Sequence, residues 1–282
     1  MKHRLAVIAL LAPASALMVV TFVLPGIWLA RLSLDRVAGG GVLIEDVSAD
    51  NYLRFFTDAF YHQILWRSLW MSVTVTLATL VCSYPIALFL FRTTSRWRGV
   101  LAVLTISPLL VSSVVRTFGW MVILGDSGLV NGLLRWLGLL AAPLPLMNNM
   151  LGVIIGLTQI EMPTMILALI AGFARLDTTL EEAARTLGAG RWRVFRRITV
   201  PQIAPGLAAG SLFAFMVSFD NFPISMWLSD AEHNPIPLLI FQRIASVFEP
   251  SVAAMSTLMI LFAMAVVLAV ERLAGLRRAL AM

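Results

Sequence analysis

The sequence predicts an all-α integral membrane protein with six transmembrane helices and both termini in the cytoplasm. Three observations carry that reading. The 282 residues are 60% hydrophobic and only 13% charged, with a mean hydropathy of +0.90, beyond what a water-soluble domain uses. Six apolar runs reach the length needed to cross a hydrocarbon core of about 30 Å at about 1.5 Å per helical residue. The basic residues fall unevenly between alternate connecting segments, and the positive-inside rule converts that bias into an orientation.

The first run, 5–30, follows Lys2 and Arg4. Ala14-Ser15-Ala16 resembles a signal-peptide cleavage site, but the apolar stretch continues to Ala30 and so favours an uncleaved span. An external loop comes next, with a turn at Gly39-Gly40-Gly41. Asn51 to Trp66 then reads as a short interfacial helix carrying Phe55, Phe56, Phe60 and Trp66. Residues 1–65 make up this first section. The runs 68–91, 99–124, 151–173, 206–229 and 251–272 follow within a core at 66–273, and 274–282 is a cytoplasmic tail. Pro13, Pro25, Pro85, Pro108, Pro163 and Pro223 fall inside runs, which predicts kinked helices around a cavity. With the amino terminus inside, the inner segments hold fourteen Lys and Arg residues and the outer segments six, while Arg116 lies within a span.

Several chemistries are excluded. Lys2 is the only lysine, so there is no GxxxxGK[ST] phosphate loop and the chain is not itself a Walker-type ATPase. His3, His62 and His233 lie outside the runs and leave no intramembrane Ser/His pair. Asp220 is the only aspartate within a run, which argues against a two-aspartate intramembrane protease. Cys82 stands alone, so neither an intramolecular disulfide nor a cysteine metal cluster can form. The net charge of +6 reads as loop bias rather than a nucleic-acid footprint. No catalytic residue, metal or cofactor is expected.

The stretch EEAARTLGAGRWRVFRRITVP, Glu181 to Pro201, lies between two apolar runs on the inner side. Asp177 or Thr178 is placed to cap a helix whose Leu176, Leu180, Ala184 and Leu187 recur at helical spacing. Gly188 then stops it. A second short helix from about Gly190 presents Trp192 and Phe195 on one side and Arg193, Arg196 and Arg197 on another, before Pro201 ends it. Ala183 and Ala184 let another surface approach the backbone closely, and Glu182 offers a charge for a partner arginine. On pattern alone, an amphipathic helix resting on the inner leaflet is the alternative.

Glu182-Ala183-Ala184, then Gly188, then Ile198-Thr199-Val200-Pro201 resemble the EAA motif of binding-protein-dependent ABC importer permeases, EAA followed by a glycine and I-x-L-P. Only Val200 departs, standing where leucine is usual. The resemblance covers roughly residues 66–273. It extends to SSVVRTFGWMVILGDSGLVNGLL (112–134) and SFDNFPISMWL (218–228), which are similar to the spermidine/putrescine branch. It implies a type I ABC importer permease fold, multi-pass in the bacterial inner (plasma) membrane, with a cytoplasmic coupling loop at 174–205. In that family the elbow docks in a groove on the ATP-hydrolysing subunit, so Glu182, Ala183, Ala184 and Gly188 are expected to form that contact. The implied partners are an ATP-hydrolysing subunit dimer, a second permease subunit and an external solute-binding receptor, besides the lipid bilayer. The implied function is import of a small organic solute, a polyamine such as spermidine or putrescine, by alternating access.

Arg116, Glu161 and Asp220 are the ionisable residues inside runs. Burying each charge at mid-membrane costs at least about 2.5–3.5 kcal/mol, so such residues usually face a bundle interior or a watery cavity. With Trp120 one turn beyond Arg116 and Asn221 beside Asp220, they form a candidate solute path suited to an organic cation. Two other readings stay open here. Arg116 and an acid could pair to hold helices together, or Glu161 and Asp220 could relay protons in a secondary transporter or channel.

Overall fold

The computed structural model describes residues 11–37, 43–229, 235–246 and 249–279. Lys2, His3, Arg4, the Gly39-Gly40-Gly41 turn and His233 lie outside the described residues. Six helical segments within them are long and apolar enough to cross a membrane: Leu11–Leu32, Ala59–Arg92, Ser113–Trp136, Met150–Phe173, Arg191–Phe219 and Pro250–Arg272. In chain order the helices are α1 (Leu11–Leu32), α2 (Asp50–Thr57), α3 (Ala59–Arg92), α4 (Arg98–Ile106), α5 (Ser113–Leu124), α6 (Leu129–Trp136), α7 (Met150–Phe173), α8 (Thr178–Thr186), α9 (Arg191–Phe219), α10 (Pro223–Leu228), α11 (Ile236–Ser246) and α12 (Pro250–Ala279).

Four boundaries depart from the sequence expectation, each for a local reason. The run 99–124 is not one helix. α4 passes into a 3₁₀ turn at Ser107–Leu110, Val111 is extended, and α5 starts afresh, because Pro108 lacks an N–H and its ring crowds the preceding turn. The spanning segment therefore runs from Ser113 to Trp136. The interfacial helix stops at Thr57. Asp58 is extended and its carboxylate accepts a hydrogen bond from Phe60 N at 2.9 Å, so Phe60 and Trp66 belong to α3.

Pro201 does not end a helix. α9 runs through it by way of a π turn at Phe195–Thr199, whose extra residue gives the proline ring room. The run 206–229 breaks at its far end instead. Phe219 closes α9, Asp220 caps it, and Asn221 Oδ1 accepts from Ile224 N at 3.0 Å while Pro223 occupies the first turn of α10. The segment after α1 also holds an element with no sequence signature. Strands β1 (Arg36–Val37) and β2 (Leu43–Ile44) pair antiparallel, with Arg36 opposite Ile44.

The chain divides into two compact units, residues 1–63 with 239–266 and residues 64–238 with 267–282. In the first, Asn51 Nδ2 donates to the carbonyls of Ser33 and Asp35 at 2.8 and 2.9 Å, and Arg36 pairs with Asp50 at 2.8 Å. In the second, α7 is the central helix and half of its residues are buried. One end packs Val153, Leu157 and Ile160 against Met71, Val75, Leu124, Ile224 and Leu228. The other packs Met165, Leu169 and Phe173 against Ala87, Leu90, Ile203 and Ala214. α7 and α9 approach through small residues: a Cβ placed on Gly206 would lie 2.6 Å from the Ala168 carbonyl oxygen and 2.8 Å from Gly172 Cα.

Candidate functional site

The elbow is built by local rules. Asp177 accepts from Thr179 N at 2.9 Å and Thr179 Oγ1 at 2.6 Å, starting α8. Those bonds, the side-chain one first, hold its exposed carboxyl below the usual aspartate range. At the other end Gly188 takes a left-handed φ of +82°. Its N–H reaches Arg185 O at 3.0 Å, and Ala189 N reaches Ala184 O at 2.9 Å, the paired bonds of a Schellman stop. Gly190 then opens α9, where Trp192 stacks obliquely on Phe195 at 5.3 Å.

Of the four residues expected to meet an ATPase, Glu182, Ala183 and Gly188 are exposed and Ala184 is half-buried. Around them Leu187 is 88% and Trp192 71% exposed, and Leu180 is half exposed. An apolar rim thus surrounds a charge and a small residue whose backbone can be approached closely.

The sequence reading missed Glu181. It is 4% exposed and points into the protein, where Arg92 at the end of α3 pairs with it at 2.7 Å and Thr199 Oγ1 donates to its other oxygen. Arg185 stands 3.9 Å away. No local signal marked it: neighbours in an α-helix are turned by only about 100°, and the adjacent Glu182 and Ala183 are both exposed.

The candidate path residues separate into two places. Arg116 on α5 donates from Nη1 to Ile160 O at 3.4 Å, while its buried Nε has no partner. Trp120 Nε1 donates to Gln159 Oε1 at 3.0 Å, so Gln159 joins this group although its amide in an apolar run had drawn no notice. Glu161, 3% exposed on α7, takes a 3.5 Å contact from Thr164 Oγ1. Arg116, Trp120 and Glu161 therefore gather where α5 meets α7. Asp220 and Asn221 sit instead at the α9–α10 break.

Asp220 is exposed, not buried within a span, because the helix ends there. Among the described residues no acid stands within 4 Å of the Arg116 guanidinium, and Arg116 reaches α7 through the Ile160 carbonyl instead. We expect Asp220→Asn to change thermal stability by less than about 0.5 kcal/mol, as for surface positions. A double-mutant cycle with Arg116→Gln should be additive to within about 0.5 kcal/mol. A stability loss at Asp220 rescued by Arg116→Gln would contradict this placement.

Six spans, an inward-anchored elbow between two of them and charges gathered between packed helices define a polytopic membrane transporter component. Residues 59–277 match the family described as binding-protein-dependent transport system inner membrane component, and the chain belongs to that family. It is a multi-pass inner-membrane protein. It is similar to the spermidine/putrescine transport system permease protein PotB of Haemophilus influenzae, 33% identical over 209 residues that cover 74% of this chain and 73% of the relative. PotB of Escherichia coli K12 is 37% identical over 184 residues, 65% of this chain and 66% of that one. A solved bacterial alginate ABC transporter, in complex with an alginate pentasaccharide-bound periplasmic protein, shares the fold with a TM-score of 0.78 at 19% identity, over 97% of this chain and 95% of that one.

Proposed function

We propose that this chain is the permease subunit of an ATP-driven importer that carries a polyamine such as spermidine or putrescine into the cytoplasm by alternating access. The observation that carries the proposal is the α8–α9 elbow, with Glu182, Ala183 and Gly188 exposed beside Leu187 and Trp192 and free to meet a partner. In this reading a pair of ATP-hydrolysing subunits grips the elbow from the cytoplasm, where both termini also lie. A second permease completes the path, and an external receptor delivers solute. Arg116, Trp120, Gln159 and Glu161 supply polar and aromatic groups where α5 meets α7, and Asp220 with Asn221 supplies them at the α9–α10 break. The names of the PotB relatives support a polyamine as solute. A proton relay through Glu161 and Asp220 finds no support, because no hydrogen bond or ion pair links them among the described residues.

The test is reconstitution in proteoliposomes. The complex with ATPase subunits and receptor should take up labelled spermidine only with ATP, and the chain alone should neither hydrolyse ATP nor transport. Uptake by the chain alone under a proton gradient would overturn the proposal. Failure of spermidine and putrescine with another receptor-borne solute carried would overturn the polyamine assignment alone.

A further inference from the structure

Glu181 and Glu182 are consecutive, yet Glu182 is exposed on the elbow and Glu181 is 4% exposed beneath it. A buried carboxylate is costly unless it is paired and hydrogen-bonded, and replacing such a pair with apolar residues is often neutral or stabilising. Fold stability is therefore a weak reason for placing a charge here. The partners of Glu181 point to another reason. Arg92 is the last residue of α3, a 34-residue helix, and Thr199 is the last residue of the π turn within α9. One carboxylate thus ties the elbow to two spanning helices.

One further polar link joins the elbow to α9, where Asp177 N donates to Gln202 Oε1 at 2.9 Å. A cleft of about 350 Å³, walled by Tyr84, Leu88, Val194 and Phe195, opens around this carboxylate. Where a void separates elements, packing transmits little displacement, and the covalent connections and polar links carry it. π turns are also recurrent at functional positions.

We propose that Glu181 is a positioning residue for transport: a latch that passes motion of the elbow to α3 and α9 through Arg92 and Thr199. The proposal rests on the reading that an ATPase subunit docks on the elbow. Motion imposed at Glu182 and Leu187 reaches Glu181 through α8, then pulls on both spans at once. Without the latch, α8 moves within the cleft, ATP is hydrolysed, and the spans do not follow.

The test uses the assembled complex in proteoliposomes with its receptor, and it reads solute moved per ATP hydrolysed. Thr199→Val keeps the shape and removes the hydroxyl donor, and Glu181→Gln keeps the shape and removes the charge. Each should retain the ATPase subunits on copurification while uptake per ATP falls roughly tenfold, within the range usual for coupling between sites. Thr199→Ser, which restores the donor, should return the ratio toward wild type. A purely structural role would lower protein level and leave the ratio unmoved. If Glu181→Gln does not accumulate, Thr199→Val and Arg92→Gln decide the matter. An unchanged ratio in variants that keep their ATPase subunits overturns the latch and leaves docking intact. Failure of the wild-type chain to retain those subunits overturns docking, and the latch with it.

Discussion

Glu182→Lys is expected to abolish ATP-driven uptake while the chain still reaches the membrane at wild-type levels. Glu182 is exposed and, among the described residues, its side chain makes no hydrogen bond or ion pair, so its replacement should cost the fold little. On the docking proposal it meets an arginine of the ATPase subunit. Removing one member of a buried interfacial charge pair costs about 2–5 kcal/mol, or about 30-fold in affinity at the low end, and reversal adds like-charge repulsion. The neighbouring substitution makes the contrast. Glu181→Lys would place a third cation against Arg92 and Arg185 in a buried site, so it should lower the amount of folded protein itself. The measurements are membrane level by immunoblot, copurification of the ATPase subunits and uptake. Normal uptake by Glu182→Lys at matched levels would remove Glu182 from the docking surface.

Most of the fold was legible because span length and apolarity are set by bilayer thickness. Six runs appear in the sequence and six spanning segments in the structure. What failed was the treatment of proline as a uniform signal. Pro163 and Pro85 lie inside continuous helices, Pro108 marks a break, Pro223 starts a helix, and Pro201 is passed by a π turn. Which of these occurs depends on what satisfies the freed carbonyls and where the ring finds room. Those are properties of neighbouring elements, not of the run. The two-residue strands were invisible for a related reason: so short a ladder carries no periodicity to read.

The site was legible in its outward half. Asp177, Gly188 and Gly190 mark starts and stops by local backbone chemistry, and the structure uses all three as the spacing implies. The inward half was not, because Glu181 finds Arg92 across 89 residues of sequence and nothing local announces that meeting. The candidate solute path divides similarly. Arg116 and Trp120 share one face of α5 and were grouped by spacing, whereas Asp220 was placed with them by assuming a helix that in fact ends at Phe219. The facing small residues were also readable and overlooked. Ala168 and Gly172 on one helix, and Gly206 and Gly210 on another, are both small-xxx-small pairs.

That last pairing carries the largest expected loss of stability. Helices in lipid gain little from the hydrophobic effect, so close backbone approach and van der Waals packing hold α7 against α9. At Gly206 the atoms a new Cβ would strike are backbone, Ala168 O at 2.6 Å and Gly172 Cα at 2.8 Å, and backbone cannot swing aside. At Gly210 the nearest atom is Met165 Sδ at 2.7 Å, the flexible end of a side chain, with Ala168 Cβ at 3.0 Å. The expected order of damage is therefore Gly206→Leu, then Gly206→Ala, then Gly210→Ala. Overpacking by one methyl costs about 1–3 kcal/mol, and the larger leucine should force α7 and α9 apart. Gly26→Ala is the control: beyond its own helix backbone the new methyl meets no atom within 4 Å among the described residues, and alanine improves helix propensity by about 1 kcal/mol. Melting temperature of the detergent-purified protein and recovery as a single species by size exclusion read the effect. Gly206→Leu melting with the wild type would mean that α7 and α9 are not held by this contact. A Gly210→Ala variant less stable than Gly206→Ala would mean that the methionine, rather than the backbone, is the rigid wall.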